Sequence, residues 1–134
     1  MTRTAARIFG IIYLLVGILG FVPALQQPAD GPHVLVGTTV NLLGLFPVNA
    51  VHDLVHVLIG IAGLVAAGSL GAARSYFRTL AVLYAVLALF GLIPATNTLF
   101  GLAPLTGLDV GLHALTAIVA AYFGWGVREV DAVA

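Results

Sequence analysis

Cysteine is absent from the 134-residue chain. That excludes a disulfide framework, a thiolate metal site and a cysteine nucleophile. Lysine is absent too, and the five basic residues are Arg3, Arg7, Arg74, Arg78 and Arg128. Charged residues make up 7% of the chain and hydrophobic residues 61%. A soluble domain is about a quarter charged and could not cover its surface with so few charges; a bilayer removes that requirement. The formal net charge is zero and no basic run occurs, which argues against a nucleic-acid partner, because backbone binding needs clustered positive charge. No phosphate-cradling glycine loop or dinucleotide fingerprint is present. Ser69 and Ser75 lie on the opposite side of the chain from every histidine, so no serine nucleophile has a base. These absences argue against an enzyme.

What is present is apolar length. A membrane helix needs about 20 mainly apolar residues, and four stretches qualify: 7–24, 50–70, 77–95 and 108–127. The reading is an all-α integral membrane four-helix bundle forming a single domain over 1–134. Arg3 and Arg7 precede the first span, Arg74 and Arg78 fall at the turn between the second and third, and Arg128 follows the fourth. All five lie on one face. The positive-inside rule then predicts a bacterial plasma-membrane protein with both termini cytoplasmic. Val22-Pro23-Ala24 resembles a signal-peptide cleavage site. Ile93-Pro94-Ala95 repeats it after span three, where cleavage makes no sense, so the first span reads as retained.

The chain also reads as a duplication. RIFGIIYLLVGILGFVPA from Arg7 aligns with RTLAVLYAVLALFGLIPA from Arg78, matching Tyr13 with Tyr84, Gly20 with Gly91 and Pro23 with Pro94. LLGLFPVNAVHDLVHVLIG from Leu42 aligns with LFGLAPLTGLDVGLHALTA from Leu99, matching Gly44 with Gly101, His52 with Asp109 and His56 with His113. The predicted units are two helix–loop–helix repeats, 1–70 and 71–134, related by a pseudo-twofold axis along the membrane normal. Gly-x-x-Pro recurs at the outer end of each span, where proline stops an outgoing helix or begins the approach to the next. Asn49 and Thr106 stand where they would cap the second and fourth helices. In the longer first outer loop, Pro28, Asp30, Gly31 and Pro32 form a turn or coil. The part over 34–46, too short to span, is expected at the interface or as a re-entrant segment.

Polar residues gather on the outer side: His33, His52, His56 and His113, with Asp30, Asp53, Asp109, Asn41 and Asn49. Glu129 and Asp131 lie beyond the inner end. His52 and His56 share a helix face four residues apart, and Asp109 and His113 repeat that spacing. At 1.5 Å per residue, His56 and His113 sit roughly 9 Å inside their helices, level with Gly20 and Gly91. Ionisable residues within spans face the interior or a cavity, and two readings stay open. In one, the histidines are packing residues that hydrogen-bond across helices. In the other they form a ligand or proton-handling site. For a transition metal the set is His52, His56, Asp109 and His113, with Asn49 or Asp53 orienting a ring. For a haem, the less favoured cofactor, His56 and His113 are the axial ligands. Tyr13 and Tyr84 form a second repeated pair, expected nearer the cytoplasmic side as packing residues, or as inner stations of a proton path. Tyr122, Phe123 and Trp125 read as an interfacial anchor, as do Tyr76 and Phe77.

GLFPVNAVHDLVHVLIGIAGL, from Gly44 to Leu64, resembles the signature of a bacterial membrane family, domain of unknown function 4383, common in actinobacteria. The hallmark, Asn-x-x-His-x-x-x-His followed by glycines, corresponds here to Asn49, His52, His56, Gly60 and Gly63. Asp53 stands where such sequences often have asparagine. The resemblance covers nearly the whole chain and implies about four spans, but brings no activity. The function expected is therefore a scaffold or accessory membrane protein with an outer-side His/Asp site for a small ligand or transition metal. The alternatives are a haem or other redox protein, and a small transporter or proton-conducting oligomer. Expected partners are membrane lipid, further copies of the chain or an envelope complex.

Overall fold

A computed structural model describes residues 1–29 and 32–129; Asp30, Gly31 and Asp131 lie outside it. Four α-helices dominate: α1 Thr2–Gly20, α2 Ala50–Ala66, α3 Leu70–Gly91 and α4 Leu108–Ala121, the last continuing as a π-helical turn over Tyr122–Gly126. Three are long and apolar enough to cross a membrane: Thr2–Gly20, Leu70–Gly91 and Leu108–Gly126. α2, with 17 residues, spans about 25 Å at 1.5 Å per residue.

α2 and α4 begin where the hydropathy pattern places them, at Ala50 and Leu108, whereas α1 and α3 begin earlier. α1 starts at Thr2, so Arg3 and Arg7 lie within it. α3 starts at Leu70, its N-terminus capped by the Ser69 side chain accepting from the Ala72 N–H. Arg74 and Arg78 are therefore inside α3 and not at the turn. Charge is tolerated there because each guanidinium meets free carbonyls at the end of a neighbouring helix. Arg74 donates to Val127 O at 3.2 Å and Glu129 O at 2.7 Å, and Arg78 donates to Gly124 O at 2.9 Å. Arg3 serves α2 in the same way through Ala67 O at 3.0 Å. The Glu129 carboxylate takes the Thr2 N–H and pairs with the N-terminal ammonium. That ammonium, with the N–H, holds its carboxyl down to about 2.

Burial is inverted relative to a water-soluble domain. α2 buries His52, Asp53, His56, Gly60, Gly63 and Ala66, while Leu54, Leu58, Ile61 and Val65 are exposed. α1 buries Ala6, Gly10, Gly17 and Gly20, and exposes Ile8, Ile12, Leu15 and Ile18. Exposed apolar surface so extensive needs a non-aqueous or protein covering. The small residues let backbones touch. A Cβ on Gly17 would lie 2.7 Å from Asp53 O and from Val57 N, and one on Gly60 would lie 2.5 Å from Leu14 N. Together with Gly10 against Leu64, these contacts set α1 and α2 antiparallel. α1 packs mainly on α2, and α3 mainly on α4.

The loop between α1 and α2 opens with a single 3-10 turn over Pro23–Leu25 and then forms a small sheet. Strands β1 Gln26–Pro28, β2 Val40–Leu42 and β3 Phe46–Val48 pair antiparallel in that order, with Gln26 opposite Leu42 and Val40 opposite Val48. Pairing satisfies backbone groups that an extended apolar loop would otherwise leave bare. The β2–β3 turn places Leu43 and Gly44 at positive φ. Gly20 and Gly91 do end the outgoing helices α1 and α3. Thr106, however, does not cap α4. Gly107 takes the cap position, at φ 65°, without a side-chain bond.

Tyr76 and Phe77 are core residues, correcting the anchor reading. With α3 starting at Leu70, both fall about two turns in, where Phe77 is fully buried. Phe9 meets the Phe77 ring edge-on at 5.2 Å and Phe123 stacks on it at 5.0 Å. Tyr122 and Trp125 remain more than half exposed at the end of α4.

Candidate functional site: a buried histidine cluster

Asn49 starts the site. Its backbone is extended, and its side-chain oxygen accepts the His52 N–H at 3.0 Å, which ends the loop and begins α2. Its amide donates to Val36 O at 2.9 Å and Leu102 O at 2.8 Å, one carbonyl from the α1–α2 loop and one from the α3–α4 loop. Asn49 is 1% exposed, and these three bonds use its acceptor and both donors. No hydrogen bond from its side chain reaches an imidazole. It positions His52 through the backbone by fixing where α2 begins, and does not orient a ring.

One helical turn later the imidazoles converge. His52 and His56 have ring centroids 4.6 Å apart, and His52 lies 6.0 Å from His113 of α4. One ligand atom from each of His52, His56 and His113 falls within 4.8 Å of the others, and all three residues are buried. Asp109, one turn before His113, brings Oδ2 to 3.5 Å from His113 Nε2. The Nδ1 atoms of all three histidines and Asp109 Oδ2 are buried without a hydrogen-bond partner among the described residues. Left so, each such group costs about 1–3 kcal/mol.

The tyrosines belong to this cluster and not to a separate inner level. Tyr13 meets the His56 ring at 5.4 Å, Tyr84 meets His113 at 5.0 Å, and the two tyrosines are 5.7 Å apart. The antiparallel glycine contacts explain the difference, since they slide α1 so that Tyr13 is level with His56, and Gly20 lies beside Asp53 instead. The Tyr13 hydroxyl is 3.2 Å from Thr116 Oγ1 of α4, a side chain that sequence reasoning passed over; its spacing three residues after His113 was the available signal. Asp53 is buried against Gly20 of α1, apart from the imidazoles. His33 is exposed in the α1–α2 loop, outside the cluster.

The arrangement offers three imidazoles, a carboxyl group and a phenol inside an apolar shell. A tetrahedral ion with bonds of about 2.0–2.1 Å needs donors about 3.4 Å apart, so side-chain shifts of about 1 Å would bring the imidazoles onto one ion. A haem does not fit. The adjoining cavity is about 210 Å³, below the roughly 300–1,000 Å³ of ordinary organic ligand pockets, and Tyr13 and Tyr84 cover the rings it would need.

Outward-facing apolar helices around a small polar interior define the class: the chain fits a helical membrane protein of unknown activity. It belongs to the family described as domain of unknown function (DUF4383), whose profile matches residues 3–126, as the Asn49–His52–His56 signature implied. No curated protein and no solved structure gives a significant match.

Proposed function

We propose that the protein is a multi-pass bacterial plasma-membrane protein that holds a transition metal in its outer half and serves as a scaffold or accessory subunit, as a homo-oligomer or within an envelope complex. His52, His56 and His113 supply the donors. Asp109 completes the set, as a fourth ligand or as the carboxylate that holds the His113 ring. Imidazole with carboxylate suits zinc, copper or iron. The observation that carries this reading is the convergence of three buried imidazoles from two helices within 4.8 Å.

Four spans with both termini cytoplasmic, built as hairpins 1–70 and 71–134, complete the proposal. The clustering of Arg3, Arg74 and Arg78 around the ends of α2 and α4 supports the orientation. Three likenesses support the duplication. α1 pairs with α2 as α3 does with α4. Leu43-Gly44 and Phe100-Gly101, aligned in sequence, all have positive φ. Tyr13 sits on His56 as Tyr84 sits on His113.

Elemental analysis with an absorbance spectrum tests the site. The purified protein is expected to carry stoichiometric metal, and His56→Ala and His113→Ala are each expected to lose it while remaining folded. A wild-type protein that stays metal-free after incubation with zinc, copper and iron would sink the proposal and leave the histidines as packing residues.

A further inference from the structure

The cluster is not sealed on all sides. α1 leans on α2 and α4 leans on α3, whereas α1 and α4 scarcely approach each other. Between them lies the cavity of about 210 Å³. Its rim carries Ile12 of α1 and Leu112 of α4, which are 52% and 44% exposed. The opening therefore faces sideways, along the apolar surface, and not toward either end of the helices. Deeper in are Asp109 and His113, 4% and 3% exposed, with Asp109 Oδ2 lacking a hydrogen-bond donor. Among the described residues one side-chain hydrogen bond joins the two helices, between the hydroxyls of Tyr13 and Thr116 at 3.2 Å.

We propose that this seam admits a neutral amphiphile dissolved in the membrane, whose hydroxyl-bearing head seats against Asp109 and His113. The inference rests on the membrane insertion proposed above and concerns the metal-free protein, in which Asp109 and His113 do not ligate an ion. Each part of the ligand follows from a feature of the cavity. A hydroxyl donates to the free Asp109 oxygen and accepts from an imidazole N–H or from Tyr13. A charged head is disfavoured, because it would have to enter from hydrocarbon, and an anion would also meet the Asp109 carboxyl. The space is small, about 210 Å³. That accommodates a head and a few carbons, so the rest of a chain must lie outward between Ile12 and Leu112, among lipid tails. The apolar rim offers that chain an environment like the bilayer itself.

The test uses full-length protein, stripped with chelator and reconstituted in lipid vesicles after carbonate extraction has established that it is membrane-integrated. The probe is a long-chain primary alcohol carrying a diazirine close to the hydroxyl. After photolysis, labelled positions are expected to concentrate on the cavity lining beside the head, at Tyr13, Asp109, Leu112 and Thr116. Excess 1-dodecanol is expected to compete at least fivefold better than dodecane. Ile12→Trp, which fills the rim from an exposed position, is expected to cut labelling at least fivefold, whereas Ile18→Trp, on the exposed face of the same helix, leaves it unchanged. Asp109→Leu is expected to abolish the preference for the alcohol over the alkane. Labelling spread evenly over exposed helix faces, equal competition by dodecane, or indifference to Ile12→Trp would each overturn the proposal. Release in carbonate would instead overturn the membrane reading beneath it, and chelation keeps the result independent of the metal proposal.

Discussion

Asn49 is the residue on which the histidine end of the bundle turns. It joins the start of α2 to a carbonyl in each of the α1–α2 and α3–α4 loops, and it is almost fully buried. Asn49→Asp keeps the oxygen that accepts from His52 but removes both donors and sets a carboxylate against two carbonyls. Unsatisfied buried groups cost about 1–3 kcal/mol each. Asn49→Asp is therefore expected to lower thermal stability in detergent and to raise hydrogen exchange over 32–42 and 96–105, while helix content is retained. Exchange unchanged in both loops would show that the asparagine does not tie them down. The capping role was legible in the sequence, because Asn immediately before an apolar run is an N-terminal signal. The bonds to Val36 and Leu102 were not, since those carbonyls lie 13 and 53 residues away.

At the level of elements, the two helix pairs are held by close backbone approach. In hydrocarbon, helices gain little from burying apolar side chains and associate by packing and polar contacts. Gly60→Ala would place its Cβ 2.5 Å from Leu14 N and 2.7 Å from Leu14 Cα, where backbone must move. Overpacking of this kind costs about 1–3 kcal/mol, so this variant is expected to melt earlier than wild type. Gly111 of α4 has open space around its Cβ position, and Gly111→Ala is expected to be neutral or up to about 1 kcal/mol stabilising. The same melting curve for both variants would refute the packing argument. Glycine spacing in the sequence indicated a packed face but not its register. The one-turn difference between Gly20 and Gly17 beside α2 decides whether Tyr13 touches His56. The starts of α1 and α3 differ from the hydropathy pattern for a related reason: arginine reads as the end of a span, yet Arg74 and Arg78 sit inside α3 because carbonyls at and just beyond the end of α4 receive them.

For the whole molecule, the polarity of the chain makes a topological prediction, and the lack of cysteine makes it easy to test. Thr38 is exposed in the outer loop and Ala72 is exposed in the first turn of α3. In spheroplasts, Thr38→Cys is expected to react with a membrane-impermeant maleimide, and Ala72→Cys only after permeabilisation. The reverse pattern would invert the proposed orientation and put the histidine cluster on the cytoplasmic side.

The sequence by itself determined the class. Too few charges to coat a soluble domain, apolar runs of span length and arginines confined to one side all follow from local composition, which the solvent reads without reference to the fold. It also placed His52 with His56 and Asp109 with His113, because a helix brings residues four apart together wherever it sits. What only the tertiary structure decided is which faces meet. Bringing His113 to His52, moving the tyrosines into the cluster, burying Phe77 and opening a seam between α1 and α4 all depend on helix register and pairing, and these are set by contacts between backbones far apart in the chain.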